Sequence, residues 1–144
     1  MKKLTTTITA ATVAILLLFT GCDKYHRDRY TGTWDFVTEI NSCSFDGSGN
    51  FIVEKREIVY YTGAITLGDL ENELIIQYTE SNKIIAGIGS DGKTLWTNYD
   101  PGPSTPSGGF DKNIIQLFLR YPGGDYEQIV YDIYGTKKKG GKNE

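Results

Sequence analysis

The sequence has few of the residues that build metal and catalytic sites. Its 144 residues include one His, two Cys and one Met. Zinc sites and related centres draw several ligands from His and Cys, so we expect neither a metal site nor a cofactor. The only imidazole, that of His26, lies in a polar stretch before the first alternating segment. General base catalysis needs a fixed geometry, so we predict that the protein is not an enzyme.

An excess of basic charge is also missing. The chain carries 15 basic and 18 acidic side chains, which gives a net charge of -3. Nucleic-acid-binding proteins normally show a basic excess or a basic stripe, so we expect no nucleic-acid partner. A length of 144 residues corresponds to one folded domain.

The first residues have the pattern of a secretion signal. Met1, Lys2 and Lys3 form a short basic start, and an apolar run follows over residues 8–19. This run is shorter than the ~20 apolar residues that cross a bilayer comfortably. A basic start followed by a short apolar run is typical of a cleaved signal peptide, which we place at residues 1–21.

The apolar run ends in Leu18-Phe19-Thr20-Gly21-Cys22. A small residue directly before a Cys at this point resembles the lipobox of bacterial lipoproteins. The resemblance implies that Cys22 is lipidated and that residues 22–30 tether the domain to a membrane. It places the protein in the cell envelope, at the outer membrane of a Gram-negative bacterium. The alternative is an ordinary signal peptide followed by an incidental Cys.

From residue 31 onward the apolar residues repeat with a period of two. For example, Ile115, Leu117 and Leu119 alternate with polar Gln116 and Arg120. This alternation indicates strands with one buried face, and Asp-Gly and Pro-Gly pairs supply hairpin turns between them. The predicted strand segments are 32–41, 51–66, 72–79, 83–89, 94–99, 110–121 and 125–137. Gly63 predicts a bulge or a bend within the second segment, which then serves either as one strand or as two.

A meander of consecutive hairpins has two unpaired edge strands, and these pair with each other when the sheet closes into a barrel. We therefore predict an all-β fold, in which an antiparallel up-and-down meander closes into a small barrel of seven or eight strands. The barrel domain spans 31–139 and is followed by a tail at 140–144. Two longer loops are expected at 42–50 and 100–109.

The first predicted strand opens with Gly32-Thr33-Trp34. This triplet resembles the Gly-x-Trp motif of lipocalin and calycin barrels. The resemblance implies that Trp34 plugs one end of the barrel under a basic side chain, for which Arg120, Lys137 and Lys138 are the candidates. Together with the lipobox, the chain resembles small Bacteroidetes-type lipoproteins with a lipocalin-like domain.

Aromatic residues are abundant, with ten Tyr and two Trp. They serve either as ordinary strand residues or as the lining of a ligand site. Our functional expectation is an envelope protein that binds a small hydrophobic or aromatic-compatible ligand in the barrel mouth. The candidate binding residues are Trp34, Phe36, Tyr78, Trp96 and Tyr131. The alternative is a filled barrel that acts as a protein-interaction or inhibitor module through its long loops, above all 100–109.

Overall fold

The computed structural model describes residues 25–97, 107–122 and 127–139. Within them, eight antiparallel strands form a closed barrel in which each strand pairs with the next and the last pairs with the first. The strands are β1 (Gly32–Phe45), β2 (Phe51–Leu67), β3 (Glu73–Gln77), β4 (Lys83–Ile88), β5 (Thr94–Thr97), β6 (Gly108–Asp111), β7 (Ile114–Pro122) and β8 (Glu127–Lys137). A short 3-10 helix, η1 (Arg27–Tyr30), precedes β1. Among these residues no helix is long and apolar enough to cross a membrane.

The predicted up-and-down barrel is confirmed, with two corrections to its segments. The prediction of a single strand over 110–121 was wrong, because this region contains two strands, β6 and β7, joined by a tight turn. Lys112 adopts a left-handed conformation there (φ 56°) and allows the reversal without glycine. The loop predicted at 42–50 is also shorter, because β1 continues to Phe45. Cys22, the tail at 140–144 and most of the loop at 100–109 lie outside the described residues.

The core follows the predicted alternation. In β7 the buried residues are Ile115, Leu117 and Leu119, and in β3 they are Leu74 and Ile76. These side chains belong to one continuous apolar cluster inside the barrel. Burial of each large aliphatic side chain contributes about 1.5–3 kcal/mol, so the interior is the main source of stability.

One end of the barrel, here called the base, is sealed by η1. The indole Nε1 of Trp34 donates to the Tyr30 carbonyl oxygen at 2.8 Å. The Tyr30 ring stacks on Phe110 with centroids 3.6 Å apart. Lys137 lies opposite Trp34 in the β1–β8 pairing, and its ammonium donates to the Arg29 carbonyl at 2.6 Å. Of the three basic candidates, Lys137 is therefore the one placed beside Trp34 and η1.

The strands differ strongly in length around the barrel. β1, β2, β7 and β8 have 9 to 17 residues, whereas β3 to β6 have 4 to 6. The four long strands form one continuous wall. Gly63 marks the place where β2 joins the short strands, since its pairing with β3 begins at Ala64. A Cβ on Gly63 would lie 2.0 Å from the Gln77 carbonyl oxygen, so only glycine permits this close approach.

Candidate functional site

Of the five aromatic residues predicted to line a ligand site, four belong to or border one core cluster and Trp96 lies apart. Trp34, Phe36 and Tyr78 are at most 2% exposed and form part of the apolar core. Trp34 and Phe36 pack with their ring centroids 6.4 Å apart. These three side chains fill part of the barrel interior.

Tyr131 lies at the border of that core, towards the end of the barrel opposite the base, here called the mouth. Its ring packs edge-on against Tyr78 at 6.2 Å and against Tyr121 at 5.3 Å. Tyr131 and Tyr121 are only partly buried. The three rings form a tyrosine cluster where the filled interior meets the mouth.

Trp96 points away from the core. Its neighbour Leu95 is fully buried, whereas Trp96 is 39% exposed on the outer surface of β5. Successive strand residues face opposite sides of a sheet, so Trp96 cannot share a pocket with Trp34 or Phe36.

A groove of about 580 Å³ lies elsewhere, on the outer surface of the wall formed by β2, β1, β8 and β7. We call it the outer groove. Its lining includes Val37, Glu39, Ile58, Phe118, Asp132 and Tyr134, and it extends to Ser107 and Gly108 at the start of β6. Ile58, Phe118 and Tyr134 are each more than 40% exposed. The groove therefore combines accessible apolar surface with two carboxylates.

The strand register brings the two carboxylates together. Glu39 on β1 lies directly opposite Asp132 on β8, and Val37 lies opposite Tyr134. Phe118 on β7 is the other direct neighbour of Asp132. Directly opposed residues on one sheet face have Cβ atoms about 4.5–5.5 Å apart, a separation at which like charges repel. Asp132 thus stands between a second carboxylate and an aromatic ring.

The two carboxylates have opposite electrostatic environments. The Asn41 amide donates to Glu39 at 2.9 Å, and the Arg56 guanidinium also donates to it. These hydrogen bonds lower the pKa of Glu39. Partial burial, and then the charge of Glu39, raises the pKa of Asp132. The ionised form of Glu39 is therefore stabilised, whereas Asp132 ionises at a higher pH than an ordinary aspartate.

No cation among the described residues neutralises Asp132. The ion pairs found there join Lys55 to Glu57, Arg56 to Glu39 and Lys138 to Asp35. No group of three or more His, Cys, Asp or Glu in residues 25–97, 107–122 and 127–139 is arranged to hold a metal ion. Chemically, the groove suits a ligand that brings its own positive charge beside Asp132 and apolar groups against Phe118 and Tyr134.

No pattern in the sequence indicates this groove directly. Glu39 and Asp132 occupy the polar positions of alternating strands, where charged residues are common. A usable signal was the aromatic character of Phe118 and Tyr134, which stand at outward positions between buried residues. No family model, characterised protein or solved structure matches the chain in the comparisons made with it.

Proposed function

We propose that the protein is a non-catalytic binding module whose outer groove takes an extended segment of a partner protein, with a basic side chain between apolar ones. The proposal rests on the surroundings of Asp132. This carboxylate lies between Glu39 and Phe118 and has no cationic partner among the described residues. A Lys or Arg from a partner would neutralise this charge. The exposed rings of Phe118 and Tyr134 would cover the apolar part of the same segment.

The filled interior favours an external site over a ligand inside the barrel. Trp34, Phe36 and Tyr78 pack in the core, and eight strands leave room for side chains or for one small ligand. An apolar ligand alone would leave the Asp132 charge uncompensated, at a cost in free energy. A cationic segment offsets that cost.

We further propose that the module acts at the cell envelope, anchored through acyl chains on Cys22. The support is the basic start, the apolar run and the Gly21-Cys22 junction in the sequence. One acyl chain binds membranes only weakly, whereas two or three hold a protein stably.

Fluorescence anisotropy of the full chain with a short labelled peptide, in which one Arg stands between Val residues, tests the groove. We expect binding that weakens about tenfold in Asp132→Asn, since a charge-assisted hydrogen bond contributes roughly 1.5–3 kcal/mol. The peptide with Gln in place of Arg should bind the native chain more weakly than the Arg peptide does. Its affinity for the native chain and for Asp132→Asn should be the same. Asp69→Asn, an exposed acid outside the groove, is the matched control. Equal effects of the two substitutions would contradict the proposal.

The tyrosine cluster supports a second candidate function, the binding of a small aromatic-compatible ligand at the mouth. Tyr121 and Tyr131 are partly buried there, and their ring centroids lie 5.3 Å apart. Native mass spectrometry of the full chain, mixed with envelope extract, should then show an added mass that Tyr131→Ala removes and Asp132→Asn retains. A bound mass lost only in Asp132→Asn would assign the ligand to the outer groove instead.

A further inference from the structure

The base of the barrel carries a second concavity that is distinct from the outer groove. Its volume is about 320 Å³, and its lining includes Arg29, Lys93, Lys112, Asn113 and Asp111. Arg29 comes from η1, Lys93 from the β4–β5 turn, and Lys112 from the β6–β7 turn. Three cations from three separate elements therefore meet around one pocket, here called the basal pocket.

None of the three cations is neutralised by a carboxylate within the described residues. The ion pairs found there involve Lys55, Arg56 and Lys138, and none lies within the basal pocket. Asp111 contributes one negative charge to the lining but forms no ion pair with the neighbouring Lys112. The three cations are exposed, so solvent screens their mutual repulsion, and the net excess of two positive charges in the lining attracts an anion.

The basal pocket is held in shape before any ligand binds. Arg29 donates to the Gly92 carbonyl at 2.7 Å and to the Tyr30 hydroxyl, and it stacks over the Tyr30 ring at 4.6 Å. The Phe110 amide donates to the Lys93 carbonyl at 2.9 Å, which ties the β4–β5 turn to the strand before the β6–β7 turn. Since a guanidinium has five N–H donors, Arg29 keeps donors for a ligand.

Lys112 is placed at this pocket by the β6–β7 turn. Its left-handed backbone (φ 56°) reverses the chain there. Its exposed side chain lines the pocket and adds the third positive charge.

We propose that the basal pocket binds a phosphate group, with Arg29 as the forked donor and Lys93 and Lys112 as point charges. Either a lipid headgroup or a free phosphate compound can supply this group. The membrane source rests on the proposed anchor: six residues lie between Cys22 and Arg29, so the two are at most about 25 Å apart along an extended chain. Lipidation of Cys22 would thus hold the basal pocket near the headgroups.

Lysine labelling of the full chain, followed by mass spectrometry, tests the site. Inorganic phosphate should slow acylation of Lys93 and Lys112 several-fold and leave Lys55 and Lys83, which lie outside the pocket, unchanged. Chloride at equal ionic strength controls for screening. Arg29→Gln should abolish the protection of both lysines. No protection by phosphate or by vesicles, equal protection of all four lysines, or full protection in Arg29→Gln would overturn the proposal.

A second arm separates the two sources of phosphate. The full chain is labelled on vesicles of phosphatidylglycerol and phosphatidylcholine, and on vesicles of phosphatidylcholine alone. Protection of Lys93 and Lys112 on the anionic vesicles, lost in Arg29→Gln, identifies a lipid phosphate. Protection by inorganic phosphate without protection on either vesicle identifies a soluble phosphate ligand and argues against the membrane source. Neither result bears on peptide binding in the outer groove. The failure of one proposal can therefore be distinguished from the failure of the other.

Discussion

The base and the outer groove use the same two strands, β1 and β8, for opposite purposes. At the base, Trp34 is fully buried and its indole N–H is bonded to Tyr30, while Lys137 is bonded to Arg29. A few residues further along the same strands, Glu39 and Asp132 oppose each other on the outer face, and Asp132 has no cationic partner among the described residues. The polar groups of Trp34, Tyr30 and Lys137 at the base are hydrogen-bonded within the protein, whereas the outer groove leaves a carboxylate and aromatic surface accessible.

This difference separates residues that stabilise the fold from those available for binding. Buried groups with complete hydrogen bonding are expected to control the free energy of unfolding. Exposed apolar surface beside an uncompensated carboxylate contributes little to stability, and mutation there should change binding instead. Substitutions matched between the two regions test this separation directly.

The largest difference in the free energy of unfolding is expected between Ala substitutions of the two tryptophans. Trp34→Ala leaves a large cavity at the base and an unpaired Tyr30 carbonyl, and should lower the free energy of unfolding by about 3–5 kcal/mol. Trp96→Ala, on the outer surface, should change it by about 0.5 kcal/mol. Urea unfolding followed by circular dichroism measures both. A similar loss in the two variants would show that the base is not the stabilising region.

A smaller effect is expected from two strand glycines. Gly63→Ala forces a methyl group to within 2.0 Å of the Gln77 carbonyl oxygen and should cost about 1–3 kcal/mol. Gly87 on β4 has no atom within 3.7 Å of the equivalent position, so Gly87→Ala should be neutral or stabilise by about 0.5 kcal/mol. Thermal unfolding of both variants measures the contrast. Equal melting temperatures would mean that β2 can shift away from β3 near the base.

Much of the base could be predicted from the sequence. Alternation in β3 and β7 identifies Leu74, Ile76 and Ile115 as core residues, and the Gly-x-Trp triplet places Trp34 inside. These patterns are local, with each strand indicating its own buried face. The turn at Lys112 was missed because it contains neither Gly nor Pro, and β6 and β7 were predicted as one strand. Asp111 and Asn113, both of types that favour turns, were the available signal.

The outer groove could not be predicted in the same way. Glu39 and Asp132 are 93 positions apart in the sequence, and only the closing β1–β8 register brings them together. Trp96 illustrates a second limit. β5 has four residues, and Leu95 and Trp96 are adjacent and both apolar, so alternation does not determine which of them faces the core.

The smallest effect, and the one most specific to the outer groove, concerns pH. The pKa of Asp132 is raised in the folded state, mainly by burial. Its favourable contribution to the free energy of unfolding is therefore fully present at pH values below the ordinary aspartate range. That contribution is lost as the pH rises through the raised pKa. Asp132→Asn should therefore stabilise the fold at neutral pH, by roughly a few tenths of a kcal/mol because solvent screens the group, and have no effect in acid.

Glu39 should behave in the opposite way, because hydrogen bonds from Asn41 and Arg56 lower its pKa. Its favourable contribution to the free energy of unfolding is present at pH values above the ordinary glutamate range and is lost as the pH falls through the lowered pKa. Glu39→Gln should therefore destabilise the fold at neutral pH. Removing the Glu39 charge should also lower the pKa of Asp132, which NMR titration of the Asp132 carboxyl would detect. If both substitutions shift the free energy of unfolding in the same direction at neutral pH, the two carboxylates do not differ as described. Opposite shifts, together with a lowered Asp132 pKa in Glu39→Gln, would establish that Asp132 carries an uncompensated charge that a cationic partner can neutralise.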